Sequence, residues 1–409
     1  MKIHDIIINI IKDSRGQDTL EATMSWDNNG QSMSASASAP SGKSTGSHEA
    51  FVLEPAKAQG MFASIKQDVL AKEFADQKEF DEFLITLDGT ENKSRLGGNL
   101  ILVLSLAFAH IKAQQEGKEL FRYIRDISGL EIVGTRMVRY PIFNVINGGA
   151  HANNKLDFQE FQVIPMVESF AEALRIGKEF YEKLGEAIRQ KFGAENVTLG
   201  DEAGYSAPFE SNEEAIALMK SVIAANNYPL RIGLDVAATG FFQDGGYMVE
   251  GKRISAQELL GMHYDLIFRY NILSLEDPFE EEAFGDFKTL YTRINQGNLD
   301  AMLITDDLTT TNHTRLERAI TEQVGNTILI KLNQIGSLTE TLRVIRMAYS
   351  NNWKVVVSHR SGETMDDFIA DLAVAVGAWG LKSGAPGKPE RLVKYDRVIA
   401  IEEMIKQGK

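Results

Sequence analysis

Six apolar runs of this chain end on an ionisable side chain: Arg231-Ile-Gly-Leu-Asp235, Ile272-Leu-Ser-Leu-Glu276, Met302-Leu-Ile-Thr-Asp306, Asn326-Thr-Ile-Leu-Ile-Lys331, Val355-Val-Val-Ser-His359 and Leu381-Lys382. A lysine at the carboxyl end of a buried strand loses hydration, which lowers its pKa and frees the amine to act as a base. The competing reading of Lys331 is that its flexible stem lets the ammonium reach water. Asp235, Glu276 and Asp306 supply three carboxylates from three such ends. Hard oxygen ligands that leave room for waters and a substrate oxygen suit Mg²⁺; salt bridges to Lys331 and Lys382 are the alternative. A lysine base beside a divalent cation and a second lysine can remove a proton next to a carboxylate, because the cations stabilise the dianionic enolate that forms. A protonated carboxylic acid on the other side could then expel a β-hydroxyl as water.

These residues need a scaffold that brings strand ends together. Successive ends from Asp235 to Lys382 lie 23 to 41 residues apart, the length of a strand, a helix and two loops. Capping boxes at Ser255 to Glu258, Thr314 to Glu317 and Ser337 to Glu340 predict helices in the intervals, the last after a short loop closed by Gly336. Repeated strand–helix units with polar strand ends predict a (β/α) barrel, whose active site lies at the C-terminal face of its strands. Upstream, Phe143-Asn-Val-Ile-Asn-Gly-Gly-Ala-His151 reads as a strand running into a glycine turn. Phe158 to Pro165 reads as an alternating strand with Glu160 on its less apolar face, and Gly200-Asp-Glu202-Ala-Gly204 as a small-residue turn carrying two acids. Ser169 to Glu172 and Ser211 to Glu214 open further helices, the first ended by Gly193. Residues 3 to 11, 20 to 26 and 32 to 39 are short strands, with a hairpin turn at Asn28-Asn-Gly30, and helical patterns follow Pro55. Strands first and helices afterwards give an α+β domain over roughly residues 1–130, with the barrel over 131–409.

At 409 residues, 44% hydrophobic and 24% charged, the chain has room for more than one domain and a large core. A net charge of −14 with no compensating basic run argues against nucleic acid or an anionic membrane as partner, so an anionic ligand must be held by local cations. The absence of cysteine excludes disulfides, thiolate nucleophiles and cysteine-ligated zinc. No run has the length of a membrane span, and Ile6 to Ile11 is too short for a signal segment. A cytoplasmic protein is expected. Pro40-Ser-Gly-Lys-Ser-Thr45 resembles a phosphate-binding P-loop but has Ala37 where that spacing needs glycine, so it reads better as a mobile Ser- and Gly-rich lid.

The motifs Asp13-Ser-Arg-Gly16, Pro40-Ser-Gly-Lys-Ser-Thr-Gly46, Leu87-Asp-Gly-Thr-Glu-Asn-Lys-Ser94, Asn144-Val-Ile-Asn-Gly-Gly149, Gly200-Asp-Glu202, Leu275-Glu-Asp-Pro278, Lys331-Leu-Asn-Gln-Ile-Gly336, Ser358-His-Arg-Ser-Gly-Glu-Thr364 and Lys382-Ser-Gly-Ala-Pro386 occur in this order along nearly the whole chain. In them the chain resembles the enolases. That resemblance implies an N-terminal α+β domain capping a modified (β/α)8 barrel, two Mg²⁺ per site, and reversible conversion of 2-phosphoglycerate to phosphoenolpyruvate, a step of glycolysis. By motif, Lys331 matches the base that takes the C2 proton, and Glu202 the acid that protonates the departing hydroxyl, supported by Glu160. Asp235, Glu276 and Asp306 match the ligands of the first Mg²⁺, and Ser44 the lid serine that reaches the second. Lys382 matches the group beside the substrate carboxylate, and Arg360 and Ser361 the phosphate contacts. His151, His359 and Gln159 complete the pocket. A homodimer is implied as well.

The chain departs from the family pattern in five places. Ala203-Gly204 replaces Gly-Gly after the catalytic acid, in a turn where a positive φ would disfavour a methyl group. Gln17-Asp18 replaces Asn-Pro, and Thr305 replaces a Gly or Ala before Asp306. The loop after Glu49 is shorter. Ala400 stands in place of an arginine that pairs across the dimer with a residue matching Glu21, which predicts a looser dimer. Two other readings compete with an active enolase: a non-catalytic relative serving as a binding protein, to which the terminal Lys409 lends weak support, and an acid-sugar dehydratase, which would lack the Ser-His-Arg-Ser-Gly signature.

Overall fold

The computed structural model describes residues 2–28, 30–43, 46–131 and 137–408. Ser44, Thr45 and Lys409 therefore lie outside the described residues. The chain opens with an antiparallel sheet of β1 (Ile3–Lys12), β2 (Asp18–Asn28) and β3 (Gln31–Ser38), with β2 in the middle. Ile6, Ile8, Leu20, Ala22 and Met24 bury one face of it. Four helices follow: α1 (Pro55–Ala71), α2 (Gln77–Asp88), α3 (Gly98–Gln115) and α4 (Leu120–Ser128). Helix α3 is apolar on all sides, as a helix enclosed by protein must be, and every residue from Gly98 to Ala109 is buried. It packs on β2 and β3 on one side and on the segment just after Lys331 on the other. This one helix thus joins the opening sheet to the chemistry-bearing part of the chain.

Eight strands then close a barrel: β4 (Tyr140–Asn147), β5 (Glu160–Pro165), β6 (Leu230–Asp235), β7 (Ser274–Glu276), β8 (Met302–Thr305), β9 (Thr327–Ile330), β10 (Lys354–Ser358) and β11 (Gly380–Lys382). Closure comes from β11 pairing with β4, Gly380 opposite Tyr140 and Lys382 opposite Ile142. From β6 round to β4 neighbouring strands are parallel, but β5 runs antiparallel to both β4 and β6. Inside the ring Ile142, Ile164, Leu273, Met302, Ile304, Leu329 and Val356 form their own apolar cluster, so the barrel is a packed core. Among the described residues no helix is long and apolar enough to cross a membrane.

Three local expectations are corrected. Residues Glu160–Pro165 are all buried, so β5 has no solvated face to carry the acid; it is covered on both sides like the rest of the barrel. The helix His313–Glu322 is capped by Asn312, whose side chain accepts from the amides of Thr314 and Arg315, so the Thr314–Glu317 pair lies inside it. Lys331 is followed directly by a short helical turn, Leu332–Ile335, which Gly336 ends at φ 90° before the next helix starts at Leu338. Ser255 does form the reciprocal capping box with Glu258, and Ser169, Ser211 and Ser337 each cap as expected.

Candidate active site

The reversed direction of β5 decides what reaches the mouth of the barrel. Parallel strands deliver their last residues there, whereas β5 delivers its first, so Glu160 lies level with Asp235, its partner in the ladder. Asp235 and Glu276 are likewise paired at the ends of β6 and β7. Lys382, at the end of β11, reaches across the mouth. Its Nζ lies 3.0 Å from Glu160 Oε2, 3.2 Å from Asp235 Oδ2 and 2.9 Å from Glu276 Oε1, and all four residues are buried. Lys331 Nζ donates to Asp306 Oδ2, and Gln334 Nε2 donates to Asp306 Oδ1 at 2.8 Å. The competing expectation of salt bridges is thus realised: each strand-end acid has a lysine partner.

These contacts set the protonation states. Burial alone would lower the pKa of Lys331, but Asp306 against it pushes the pKa up, so the expectation of an amine freed by burial is corrected. Burial likewise opposes ionisation of Asp306, and Lys331 holds it below its ordinary range. Glu276 is pushed well up by burial and by Asp235 beside it. Glu160 is pushed up by burial and by the charge of Glu202. Two lysines among Glu160, Asp235, Glu276 and Asp306 leave a surplus of buried acid. Two other sets of potential ligand atoms lie within 4.8 Å of one another among the described residues, His151–Glu160–Glu202 and Asp277–Asp306–Asp307. Asp235, Glu276 and Asp306 do not form such a set.

Glu202 sits in a tight turn closed by the amide of Gly200 donating to the carbonyl of Gly204, and of Ala203 to that of Gly200. Ala203 takes the left-handed conformation, φ 66°, and is fully buried. The turn is held from behind by the Tyr181 hydroxyl, which donates to the Ala203 carbonyl, and by the amide of Ala385 on the carbonyl of Glu202. Asn144 Nδ2 donates to Glu202 Oε2 at 2.7 Å. Facing Glu202 Oε1 are His359 Nε2 at 3.5 Å and His151 Nδ1 at 3.6 Å. Burial pushes His359 down to about 4 and lowers His151, so both rings are neutral near pH 7. Although burial would raise it, the Glu202 carboxyl is held well below its ordinary range by His359, His151 and Arg391. Two neighbouring carboxyls pushed in opposite directions form an acid–base couple.

The third part of the site joins the opening segment to the 359–363 loop. Ser41 and Gly362 exchange backbone hydrogen bonds of 2.7 and 2.9 Å. Arg15 Nη1 donates to Ser361 Oγ at 3.2 Å, and the amide of Lys43 donates to the same oxygen at 2.9 Å. Lys43 Nζ also reaches Asp201, one residue before Glu202, at 2.9 Å. Arg360 is buried and donates to both oxygens of Glu49, at 2.8 and 3.1 Å. Gln159 is buried, and its backbone N–H donates to the Asp235 carbonyl.

Sequence reasoning missed several residues here. Asp277, after Glu276, accepts the amides of Asp306 at 3.0 Å and Asp307 at 2.7 Å, and so fixes the end of β8 from the end of β7. Its signal was the Leu-Glu-Asp-Pro run itself, whose second acid was left without a role. Arg391 lies in a helix and gave no signal, while Asn144 opens the Asn144-Val-Ile-Asn-Gly-Gly149 run but was given no role because it sits inside an apolar strand.

A family model described as the enolase C-terminal TIM barrel domain matches residues 135–409, and one described as the enolase N-terminal domain matches residues 3–124. The chain is 39% identical over 416 residues to the protein named Enolase of Methanocaldococcus jannaschii, covering 98% of this chain and 95% of that one. It is also 39% identical over 418 residues to the protein named Enolase of Methanosarcina acetivorans, covering 98% and 94%.

Proposed function

The chain belongs to the enolase family, and from that premise we propose that it catalyses the reversible dehydration of 2-phosphoglycerate to phosphoenolpyruvate, as a step of glycolysis and its reversal. The observation that carries this reading is the strand order. Going round the ring as β11-β10-β9-β8-β7-β6-β5-β4, Lys331 follows β9 and Glu160 begins β5, four strands apart in either direction. Glu202 lies against Glu160. Base and acid thus stand on opposite sides of the mouth, as removal of a proton from one face and of a hydroxyl from the other requires.

In this reading Lys331 takes the proton from C2, and Glu202, which is held ionised and must first gain a proton from Glu160 beside it, delivers one to the C3 oxygen, which leaves as water. Lys331 must lose its proton to Asp306 or to solvent before it can act. Lys382 places its charge on the substrate carboxylate, and Arg360 and Ser361 take the phosphate, Arg360 exchanging Glu49 for it. The donor set fits a divalent cation: buried carboxylate oxygens in excess of the lysines, with no softer ligand among them. Asp235, Glu276 and Asp306 would hold the first Mg²⁺ and Ser44 would reach the second. When bound, Mg²⁺ supplies positive charge to the carboxylate whose negative charge grows as the C2 proton leaves. Gln159, His151 and His359 complete the walls. We also propose a cytoplasmic homodimer, looser than its relatives because Ala400 offers Glu21 no partner.

The test is direct. Protein, Mg²⁺ and 2-phosphoglycerate together should give the ultraviolet absorbance of the conjugated product, and Lys331→Ala should lower the rate by about 10²–10⁴-fold, the range for a general base. No product from the unaltered protein at any Mg²⁺ concentration overturns the reading.

A further inference from the structure

Arg391 lies in the first turn of the last helix, Pro389–Lys406, and is completely buried. A buried arginine ordinarily pairs with a carboxylate; this one spends its donors on two loops of the site. Nη1 lies 2.5 Å from His359 Nδ1 and donates to the Arg360 carbonyl at 2.7 Å. Nη2 donates to the carbonyls of Ser361 at 2.6 Å and Asp201 at 3.2 Å, and to the Ser14 hydroxyl at 3.4 Å. The loop of Glu202 and the loop of Arg360 and Ser361 are therefore pinned to one rigid fork.

The contact with His359 has a chemical consequence. A guanidinium has five N–H donors and no acceptor. The imidazole nitrogen facing it must accept, so the proton of the neutral ring sits on the other nitrogen. That nitrogen, Nε2, is the one facing Glu202. Building on the reaction proposed above, we infer that Arg391 is a positioning residue that locks His359 as the Nε2–H tautomer, so that His359 donates toward Glu202 and does not take its proton. A ring with Nε2 protonated and Nδ1 blocked cannot accept a proton from Glu202, so a proton that reaches that carboxyl is left for the substrate. Nearby Gly384, at φ 75°, leaves room for this arrangement: a Cβ there would lie 3.1 Å from Arg391 Cδ and 3.2 Å from His359 Cε1.

Nitrogen-15 NMR of histidine-labelled full-length protein reads the tautomer directly, with His359→Gln identifying the resonances. The expected result is an unprotonated Nδ1 and a protonated Nε2 for His359, shifting toward a mixture in Arg391→Lys. In that variant kcat should fall about 10- to 100-fold, the scale on which partners that orient an imidazole act, while KM stays near that of the unaltered protein. His359→Gln can present an amide N–H toward Glu202 with no tautomer to choose, so adding Arg391→Lys to it should change kcat little further. A protonated Nδ1 in the unaltered protein overturns the inference, even if Arg391→Lys fails to fold. So does an equal loss of kcat on adding Arg391→Lys in either background. The tautomer is read without turnover: an inactive protein with unprotonated Nδ1 would sink the proposed reaction alone, and an active one with protonated Nδ1 this inference alone.

Discussion

Ala203, in the turn under Glu202, holds a left-handed backbone, and the magnitudes decide what that means. A left-handed alanine costs about 1–2 kcal/mol relative to its right-handed form. Replacing it by glycine returns that strain but frees the unfolded chain by about 0.4–1 kcal/mol and removes a buried methyl worth about 0.8 kcal/mol. These effects nearly cancel. Ala203→Gly should therefore move the stability read from urea unfolding by less than about 1 kcal/mol in either direction. A larger gain would mean that the turn under Glu202 is strained, and a larger loss that the methyl is part of its packing. Residue identities at the ends of apolar runs were legible in the sequence because an ionisable group that terminates a buried strand has few places to go. Their protonation was not: the state of Lys331 depends on Asp306, from the strand next to its own, and no local pattern reports on that.

At the scale of elements, the junction between α2, α3 and the helix beginning at Leu338 carries a buried acid. Asp81 Oδ2 accepts the amide of Thr339 at 2.9 Å and Oδ1 accepts from Gln77 at 3.0 Å, while Ser105 receives the amide of Leu338. Burial pushes Asp81 from 3.8 up to about 6, against the pull of these hydrogen bonds. The folded state then binds more protons than the unfolded state between those two values, so the contribution of Asp81 is intact below pH 4 and declines as pH rises through 6. Measured against Asp81→Asn, the stability of the unaltered protein should fall by about 2 kcal/mol between pH 4 and pH 7, as the proton that the folded state retains near pH 5 is lost. A pH-independent difference would show that Asp81 titrates normally. The capping serines were legible because their geometry is local. The direction of β5 was not, since a strand buried on both faces has the same composition whichever way it runs, and the Thr314–Glu317 spacing recurs inside helices as readily as at their starts.

For the whole molecule, the barrel and its capping sheet could be read from repeated strand ends and from the order of motifs, which constrain topology more than any single propensity. Assembly is a separate matter. Glu21 makes no ion pair among the described residues; it lines a groove with Ile11, Ser36 and Met365, while Ala400 lines another with Lys118, Arg122 and Glu403. A missing cross-subunit charge pair should leave the dimer weak, so sedimentation across a dilution series should show monomer appearing at micromolar concentration. A dimer that survives to nanomolar protein would refute it. Arg391 was invisible at this scale as well, because one arginine in a mixed helix reads as solvent-facing until the loops that fold back on it are known.

The paired amides and carbonyls of Ser41 and Gly362 give the entrance a fixed pivot. On the far side of that stitch, Lys43 touches Asp201 and Glu49 touches Arg360. One short stretch of backbone thus bears on the turn that carries Glu202 and on the loop that carries Arg360.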